Sequence, residues 1–384
     1  MYRNFKHTTQ VLAAALLALL LSSCQSMRKA VTVPAINRLN LIGTYVLPHK
    51  MQFEGTTVGG LSGIDYDART GRYYLICDDR SSYNPARFYT AAIALGPKGI
   101  DSVRLLAVTS LRQPNGDVYP SNKQDSTRTP DPESMRWDAR RRRLVWGSEG
   151  ERIVRRDHAV LEDPSLIAIK PSGAYIDSFA LPANMHMRAT EQGPRQNGVF
   201  EGLTFMDNYR HMLVSVEEPI YEDGPRAGLG DSTGWIRMIS YDMATRKPLA
   251  QYGYMIDPVP YAPVPAGAFK INGIPDILAI NDHQLLVIER AFSTGRRPCS
   301  IRLYLAELSG AEDVSGRKSL RDAPFRAVQK KLLLDMDSLG RYTDNVEGVT
   351  FGPLLPNGHR TLVFVADDNF DEQEENQFFL FEIL

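Results

Sequence analysis

Short apolar runs that alternate with polar turns recur along the chain, and the clearest copy lies between residues 200 and 218. Phe200-Glu201-Gly202-Leu203-Thr204-Phe205 opens with an acidic residue and a glycine, and a second run, Met212–Val216, ends on acidic residues. The same pattern returns at Asn345–Phe351 and Leu362–Asp368. Two apolar runs joined by a turn predict a β-hairpin, and their recurrence predicts a repeated β unit.

Three weaker copies, near residues 61–79, 132–151 and 271–290, complete a series of five. Aligning the copies on Glu201 gives Ser62, Glu133, Asn272 and Glu347 at the same position, with spacings of 71, 68, 71 and 75 residues. A third and a fourth apolar run follow in most copies, so each period predicts about four strands. The nearly constant period predicts a radial array of blades.

The last copy lacks a fourth strand, whereas an unassigned strand at residues 41–47 precedes the first copy. We expect the N-terminal strand to complete the last blade, because closure removes sheet edges that would otherwise pair with other chains. The sequence therefore predicts an all-β protein, a β-propeller of five four-stranded blades whose ring is closed by the N-terminal strand. The insertions at 111–131 and 182–199 leave room for a sixth blade.

Acidic residues mark both ends of the predicted inner hairpins. These ends are neighbours in an antiparallel hairpin, so we expect the acidic residues and the long loops beside them on one mouth of the channel, where binding loops gather. Carboxylate oxygens are the ligands that Ca²⁺ prefers. The predicted ligands of Ca²⁺ or a similar divalent cation are Glu133, Glu149, Glu201, Glu289, Glu347 and Asp367. Further carboxylates are expected nearby at Asp78, Asp79, Glu218 and Asp368.

Carboxylates that converge repel one another unless positive charge lies among them. Arg80 and Arg290 stand beside the repeats and are predicted to bind phosphate, since a cation together with arginines stabilises the charge of a transferring phosphoryl group. This pattern predicts a hydrolase acting on a small phosphorylated substrate. The predicted catalytic residues are Glu201, Glu217, Arg290 and Arg80. A purely structural role, with Glu-Gly hydrogen-bonded to the neighbouring blade, stays open.

The amino terminus has the order of a bacterial lipoprotein signal. Arg3 and Lys6 precede an apolar run, Val11–Leu21, that is short for a membrane span. Leu21-Ser22-Ser23-Cys24 resembles the lipobox, which implies cleavage before Cys24 and lipidation of Cys24. We therefore expect a signal peptide at 1–23, a lipidated tether at 24–38 and the propeller domain at 39–384.

This reading predicts a protein of the bacterial cell envelope, held to a membrane by lipid on Cys24. Residue 25 is Gln rather than Asp, so the outer membrane or cell surface is expected rather than the inner membrane. The formal net charge is −1 over 384 residues, and no strongly basic face is indicated. The composition therefore argues against a nucleic-acid partner.

Four motifs together resemble a known bacterial family, "esterase-like activity of phytase", over roughly residues 40–384. They are Gly60-Leu61-Ser62-Gly63-Ile64, Pro132-Glu133-Ser134, Phe200-Glu201-Gly202-Leu203 and Asn345-Val346-Glu347-Gly348-Val349. The resemblance implies a secreted or surface β-propeller in which Asp and Glu residues are proposed to carry phosphoesterase chemistry. Asn272-Gly273 departs from the Glu-Gly pattern.

Two other functions fit the same sequence. One is a non-catalytic propeller that binds a glycan, a peptide or a partner protein. The other is a Ca²⁺-dependent hydrolase of the propeller lactonase type, for which Asn272 and Asn345 would be additional ligands. The geometry of the carboxylates distinguishes them: convergence on one point favours cation binding, and bonding to the next blade's backbone favours a structural role.

Overall fold

The computed structural model describes residues 36–96 and 98–384 and contains 25 strands in that part of the chain. Within those residues no helix is long and apolar enough to cross a membrane. The predicted signal peptide, Cys24 and most of the predicted tether lie outside the described residues.

Five four-stranded antiparallel sheets are the blades of a propeller. Blade 1 consists of β4 (Gly63–Asp67), β5 (Arg72–Cys77), β6 (Arg87–Gly96) and β7 (Gly99–Ser110). Blade 2 consists of β8 (Pro132–Asp138), β9 (Arg143–Ser148), β12 (Ser165–Ile169) and β13 (Tyr175–Ser178). Blade 3 consists of β14 (Phe200–Met206), β15 (His211–Val216), β16 (Gly234–Asp242) and β17 (Pro248–Ile256).

The inner strand of blade 4 is broken in two. This blade consists of β18 (Lys270–Gly273) with β19 (Ile277–Ala279), then β20 (Gln284–Ser293), β21 (Ser300–Glu307) and β22 (Gln329–Asp335). Blade 5 consists of β23 (Asn345–Phe351), β24 (Thr361–Asp367), β25 (Gln377–Ile383) and the N-terminal strand β1 (Leu39–Val46). Two small hairpins stand apart, β2 (Gln52–Phe53) with β3 (Thr56–Thr57), and β10 (Glu151–Arg155) with β11 (His158–Glu162).

The predicted closure of the ring is confirmed. Strand β1 pairs antiparallel with β25, from Leu39 opposite Ile383 to Val46 opposite Gln377. Blade 5 therefore combines strands from both ends of the described chain, and its sheet order is β1, β25, β24, β23 from the outside inward.

The blade count of five is confirmed, and the two candidate insertions hold no sixth blade. Residues 111–131 contain one isolated bridge, Arg112 with Val118, and a short helix, Asn122–Asp125. Residues 182–199 contain a single 3₁₀ turn, Ala183–Met185. Further 3₁₀ turns follow blade strands at Tyr221–Asp223 and Met336–Leu339. Both insertions are thus loops on the scaffold.

The core lies between the faces of adjacent blades. Strands β9 and β24 are buried at every residue, because both faces of a middle strand are covered by neighbouring sheets. Such strands are apolar runs rather than alternating sequences. Leu75 and Tyr89 of blade 1, for example, belong to one apolar cluster with Val365 and Phe378 of blade 5. This packing holds the inner strands around a central channel.

The strand pairing corrects the predicted alignment of blade 4. The residue at the mouth end of the second strand lies opposite a residue two positions before the inner-strand glutamate, as seen for Asn345 opposite Asp367. In blade 4 the equivalent pair is Gly273 opposite Arg290, so Pro275 rather than Asn272 occupies the glutamate position. Three residues lie between β18 and β19 here, which displaced the sequence alignment.

Arg136 and Asp276 close the channel beneath its mouth. The Arg136 guanidinium of blade 2 donates to both carboxylate oxygens of Asp276 in blade 4, at 2.8 and 2.7 Å. It also donates to the Leu203 carbonyl of blade 3 at 2.8 Å and to the Ile64 carbonyl of blade 1. The Val349 amide of blade 5 donates to Asp276 at 2.9 Å. One buried ion pair thereby joins all five blades at the axis.

Candidate functional site

Two sets of equivalent positions surround the mouth of the channel. The first, which we call the mouth ring, contains the equivalent residue at or near the mouth end of each blade's second strand. Its members are Asp78, Glu149, Glu217, Arg290 and Asp367. The second, the inner-strand ring, contains the residues near the start of each inner strand. Its members are Ser62, Glu133, Glu201, Pro275 and Glu347.

These positions open into one cavity of about 610 Å³. All five members of the mouth ring line it, together with the three glutamates of the inner-strand ring. Loops between strands contribute Gln196, Asn197, Arg226 and Phe269, as expected for long loops on one face. The lining holds ten carboxylates and three arginines, so the cavity carries a large excess of acidic groups.

Three of those carboxylates lie close enough to share one cation. Single carboxylate oxygens of Glu149, Glu201 and Glu217 are all within 4.8 Å of one another. Ca²⁺ binds oxygens at about 2.3–2.6 Å, so two ligands on one ion stand no more than about 5 Å apart. The donor type and the spacing both fit a hard divalent cation.

A second group shares a residue with the first. Oxygens of Asp131, Glu133 and Glu149 also lie within 4.8 Å of one another, so Glu149 belongs to both groups. One Glu149 oxygen accepts a hydrogen bond from the Val199 amide at 2.5 Å, which fixes this carboxylate between blades 2 and 3. The candidate cation sites therefore lie on the blade 2 and blade 3 side of the mouth.

The glutamates of the inner-strand ring differ in their partners. Within the described residues, the carboxylates of Glu133 and Glu201 have neither an ion pair nor a hydrogen bond from a backbone amide, and Glu133 shares a side-chain hydrogen bond with Asp131. Glu347 accepts from the Asn345 side chain at 2.8 Å and lies 3.4 Å from Arg290. Since Glu133 and Glu201 are not bonded to the next blade's backbone, a purely structural role does not account for them.

Burial and mutual repulsion raise the pKa of these acids. Burial raises the pKa of Glu201 well above its usual range, and the charges of Glu149 and Glu217 raise it further while Arg290 opposes them. The pKa of Glu133 is raised by burial and by Glu201. Burial raises the pKa of Glu347 to about 7 against the opposing charge of Arg290. The arginine side chains that line the cavity therefore do not balance the negative charge of its carboxylates.

Arg290 is the one basic member of the mouth ring. Its Nη2 lies 2.8 Å from Glu217 and 3.4 Å from Glu347. Burial lowers the pKa of Arg290, but Glu347 and Glu217 outweigh it and raise the pKa overall. The Nε atom of Arg290 is buried and has no hydrogen-bond partner among the described residues. Arg290 therefore contacts the first carboxylate group through Glu217 and keeps one buried donor without a partner.

Glu218 supplies another unpaired atom at the same cavity. One of its oxygens accepts from Arg226, and the other is buried without a hydrogen-bond partner in the described part of the chain. The side chain is fully buried and lines the cavity. Burial raises the pKa of Glu218 to about 7. An orphaned carboxylate oxygen of this kind is expected where a cation or water completes the site.

Two of the predicted residues lie away from the cavity. Glu289 precedes Arg290 in β20, and because successive side chains of a strand point to opposite faces, Glu289 points away from the mouth. Its carboxylate instead meets Lys330 at 2.5 Å, the Tyr254 hydroxyl at 2.9 Å and the Asn272 amide at 2.9 Å. Glu289 is 1% exposed, so its oxygens are taken by this buried cluster.

Arg80 lies behind the candidate cation sites rather than in the cavity lining. Its Nη1 is 3.2 Å from Asp131 and 2.7 Å from Glu151. Through Asp131 it contacts the group that contains Glu133 and Glu149. The remaining predicted residues, Glu133, Glu149, Glu201, Glu217, Glu347, Asp367 and Arg290, all line the cavity.

Asp131 and Arg226 are among the residues of this region that escaped the sequence reasoning. Asp131 directly precedes the predicted strand that begins at Pro132, so a search of the residue before each strand would have found it. Arg226 lies in the loop after β15 and carries no repeat signal, because loop residues have no equivalent in the other blades.

An apolar wall adjoins Arg290. It consists of Phe269, Ile271 and Phe292, all of which line the cavity. Ile271 lies opposite Phe292 in the pairing of β18 with β20, and the rings of Phe269 and Phe292 are 6.1 Å apart. The cavity therefore has acidic, basic and apolar sides.

The fold and the mouth define a five-bladed β-propeller with an acidic cavity whose carboxylates could hold a metal ion. A model of the phytase-like family, described as esterase-like activity of phytase, matches residues 56–370. The chain belongs to this family. No curated protein matches the chain.

Solved structures that match the chain over most of its length share little sequence with it. An endo-arabinase from Bacteroides thetaiotaomicron is 12% identical, covers 85% of this chain and 96% of its own, and has a TM-score of 0.42. The GH43_1 enzyme from Xanthomonas citri is 8% identical, covers 89% and 88%, and has a TM-score of 0.41. The periplasmic gluconolactonase of Pseudomonas aeruginosa is 10% identical, covers 85% and 86%, and has a TM-score of 0.34.

Proposed function

We propose that the protein hydrolyses phosphate esters at the acidic mouth of its propeller, with Ca²⁺ or a similar divalent cation bound there. The observation that carries the proposal is the pair of carboxylate groups that share Glu149 and face Arg290. Membership in the phytase-like family supports the same chemistry.

The roles of the residues follow from where each lies. Glu149, Glu201 and Glu217 would hold one cation, and Asp131 with Glu133 would hold a second beside Glu149. Bound divalent ions would neutralise and polarise the phosphoryl oxygens. Arg290, whose side chain lines the cavity, would bind a phosphoryl oxygen.

Proton movement would use the acids whose pKa lies near neutrality. In hydrolysis a water oxygen bonds to phosphorus, the phosphorus–oxygen ester bond breaks, and the alcohol leaves with a proton. Glu347, whose pKa burial raises to about 7, lies beside Arg290 and can give and accept that proton. A carboxyl group whose pKa lies near the working pH can both donate a proton to the leaving alcohol and accept one from the attacking water.

Assays of the full-length protein on phosphomonoesters and phosphodiesters, with Ca²⁺ and with a chelator, test the proposal. We expect activity to depend on the cation and to fall about 100-fold in Glu201→Gln, the loss typical of removing one electrostatic contributor. Glu372→Gln removes the same charge from an exposed position and serves as the matched control. Activity that survives both chelation and Glu201→Gln would exclude the proposal.

Lactone hydrolysis is a second candidate, favoured by the position of one asparagine. Asn345 lines the cavity beside Glu347 and donates to it, so an amide oxygen is present among the carboxylates. Asn272, by contrast, is bonded to Asp257 and Glu289 away from the cavity. Adding an aldonolactone to the substrate panel distinguishes the two reactions.

We also propose that the protein is a lipoprotein of the bacterial cell envelope, anchored through Cys24. The supporting observation is the order of basic residues, apolar run, small residues and cysteine at the amino terminus. Labelling cells with an alkyne fatty acid should mark the wild-type protein and leave Cys24→Ala unlabelled. Equal labelling of both proteins would rule out this anchor.

A further inference from the structure

We infer that the cavity selects phosphate esters whose organic group is aromatic or similarly flat and apolar. This inference rests on the proposed phosphate-ester hydrolysis and adds the substrate class. It begins from the composition of the wall beside Arg290, where the lining changes from charged to apolar within two residues of one strand.

Strand alternation places the phosphate-binding side chain and the apolar wall on one face. Arg290 and Phe292 are two residues apart in β20, so their side chains point to the same side. The pairing partner of Arg290 is Gly273, and that of Phe292 is Ile271. Two residues of a strand span about 7 Å, so an ester held at Arg290 would direct its organic group toward Phe292 and Ile271.

Phe269 extends this wall and is held in place by its backbone. Its carbonyl accepts hydrogen bonds from the Thr294 amide at 3.0 Å and the Thr294 hydroxyl at 2.9 Å. Even so, Phe269 is 54% exposed. A large apolar side chain that lines a polar cavity and is more than half exposed is suited to contact an apolar part of a ligand.

The charge of the remaining lining limits the alternatives. Ten carboxylates face three arginines, so a substrate with many phosphate groups would meet like charge wherever a cation does not intervene. A sugar or polyol ester would also leave the apolar wall in contact with hydroxyl groups that find no partners there. An ester with one phosphate and one aromatic group matches both sides of the cavity.

Binding of two non-hydrolysable phosphonates to the full-length protein with Ca²⁺ tests the inference by calorimetry. One is 1-naphthylphosphonate and the other is 2-hydroxyethylphosphonate. We expect the naphthyl compound to bind more tightly and Phe269→Ala to weaken it about fivefold, the size of one aromatic contact. The hydroxyethyl compound should bind equally to wild type and variant.

Two further variants make the result specific. Phe269→Tyr keeps the ring and should retain the naphthyl preference. Leu249→Ala removes an apolar side chain of similar exposure, 51%, from an outer strand and should leave both affinities unchanged. Equal binding of the two phosphonates by wild type, or an equal loss of both in Phe269→Ala, would overturn the inference.

Hydrolysis of 1-naphthyl phosphate and glycerol 2-phosphate separates this inference from the function on which it rests. If both esters are hydrolysed at the same kcat/KM and the phosphonates bind alike, the selectivity is wrong and the phosphoesterase stands. If the naphthyl phosphonate binds selectively and no ester is hydrolysed, the apolar wall stands as a ligand site and the proposed reaction is wrong.

Discussion

Two groups of charged side chains near the axis of the propeller differ in charge balance: one is a matched ion pair, and the other has a large excess of carboxylates. At the axis, the Arg136 guanidinium and the Asp276 carboxylate match one to one, and both are nearly inaccessible, at 3% and 2% exposed. Every blade contributes a donor or an acceptor to this pair. At the mouth, ten carboxylates face three arginines, and the carboxylates of Glu133 and Glu201 have no charged partner within the described residues.

The difference shows that the axial pair stabilises the fold, whereas the carboxylates of the mouth are present although they destabilise it. A paired buried charge whose hydrogen bonds are all made can specify how the blades meet. Clustered acids that share a cavity repel one another and weaken the folded state. The mouth is therefore the region whose residues require a reason other than stability, and cation binding supplies one.

The largest expected effect comes from breaking the axial pair. Arg136→Met leaves Asp276 buried without its partner and should lower the free energy of unfolding by about 3–5 kcal/mol. Urea unfolding followed by tryptophan fluorescence measures it. Arg104→Met, a change at an exposed position of β7, is the control. A loss no larger than that of the control would mean that the axial pair does not join the blades as described.

The next largest effect concerns the basic member of the mouth ring. Arg290→Met removes the donor that faces the candidate cation sites, and we expect kcat/KM for phosphate esters to fall about 100-fold. Because Glu217 and Glu347 lose a positive neighbour, Ca²⁺ should bind the variant more tightly. Calorimetry with Ca²⁺ alone measures this second effect without any substrate. Weaker Ca²⁺ binding in the variant would contradict the proposed placement of charge.

A smaller effect of opposite sign is expected at the mouth. In chelator, Glu201→Gln removes one of several repelling acids and should raise the free energy of unfolding by about 1 kcal/mol, equivalent to about one pKa unit. With Ca²⁺ at 100 times its Kd, wild type should gain about 2.7 kcal/mol, and Glu201→Gln should gain less. Chemical unfolding with and without Ca²⁺ gives both values. Destabilisation of the ion-free variant would place Glu201 among the structural residues.

The smallest effect tests the strand register of blade 4. Glu289 is adjacent to Arg290 but points into a cluster with Lys330 and Tyr254. Glu289→Gln should therefore change the Kd for Ca²⁺ by less than about twofold, a small fraction of the loss expected from removing a carboxylate ligand. Glu217→Gln, at the equivalent of Arg290, is the matched comparison. Equal losses of Ca²⁺ affinity in the two variants would mean that the register is wrong.

The repeat predicted the architecture well because each blade solves the same packing problem with similar residues. The acidic ends of the hairpins in blades 2, 3 and 5 were located for the same reason. Blade 4 was misaligned by its interrupted inner strand, in which Pro275 replaces the glutamate. Neighbouring residues of a strand point to opposite faces, so Glu289 is wrong as a ligand at the mouth, whereas Arg290 lines the cavity as predicted.

Contacts between distant repeats were beyond the reach of sequence reasoning. Arg136 and Asp276 are 140 residues apart, and neither residue type recurs at the equivalent position of the other blades. The hairpin of β10 and β11 was also missed, since its short charged strands pair only with each other. A side chain that has no equivalent in the other blades contacts residues far away in sequence. Those contacts depend on how the blades are arranged in the closed ring, so the repeat pattern does not predict them.

The pairing of β1 with β25 also bears on how the protein is made. Leu39 lies opposite Ile383, so strand β1 cannot form its pairing until strand β25 has been synthesised. Domains dominated by such non-local pairings fold slowly, and partly folded chains expose unpaired strands that invite misassembly. For a nascent chain the outer strand of blade 5 has no partner until β25 has been synthesised, so a chaperone that shields an unpaired strand would be expected to act on β1.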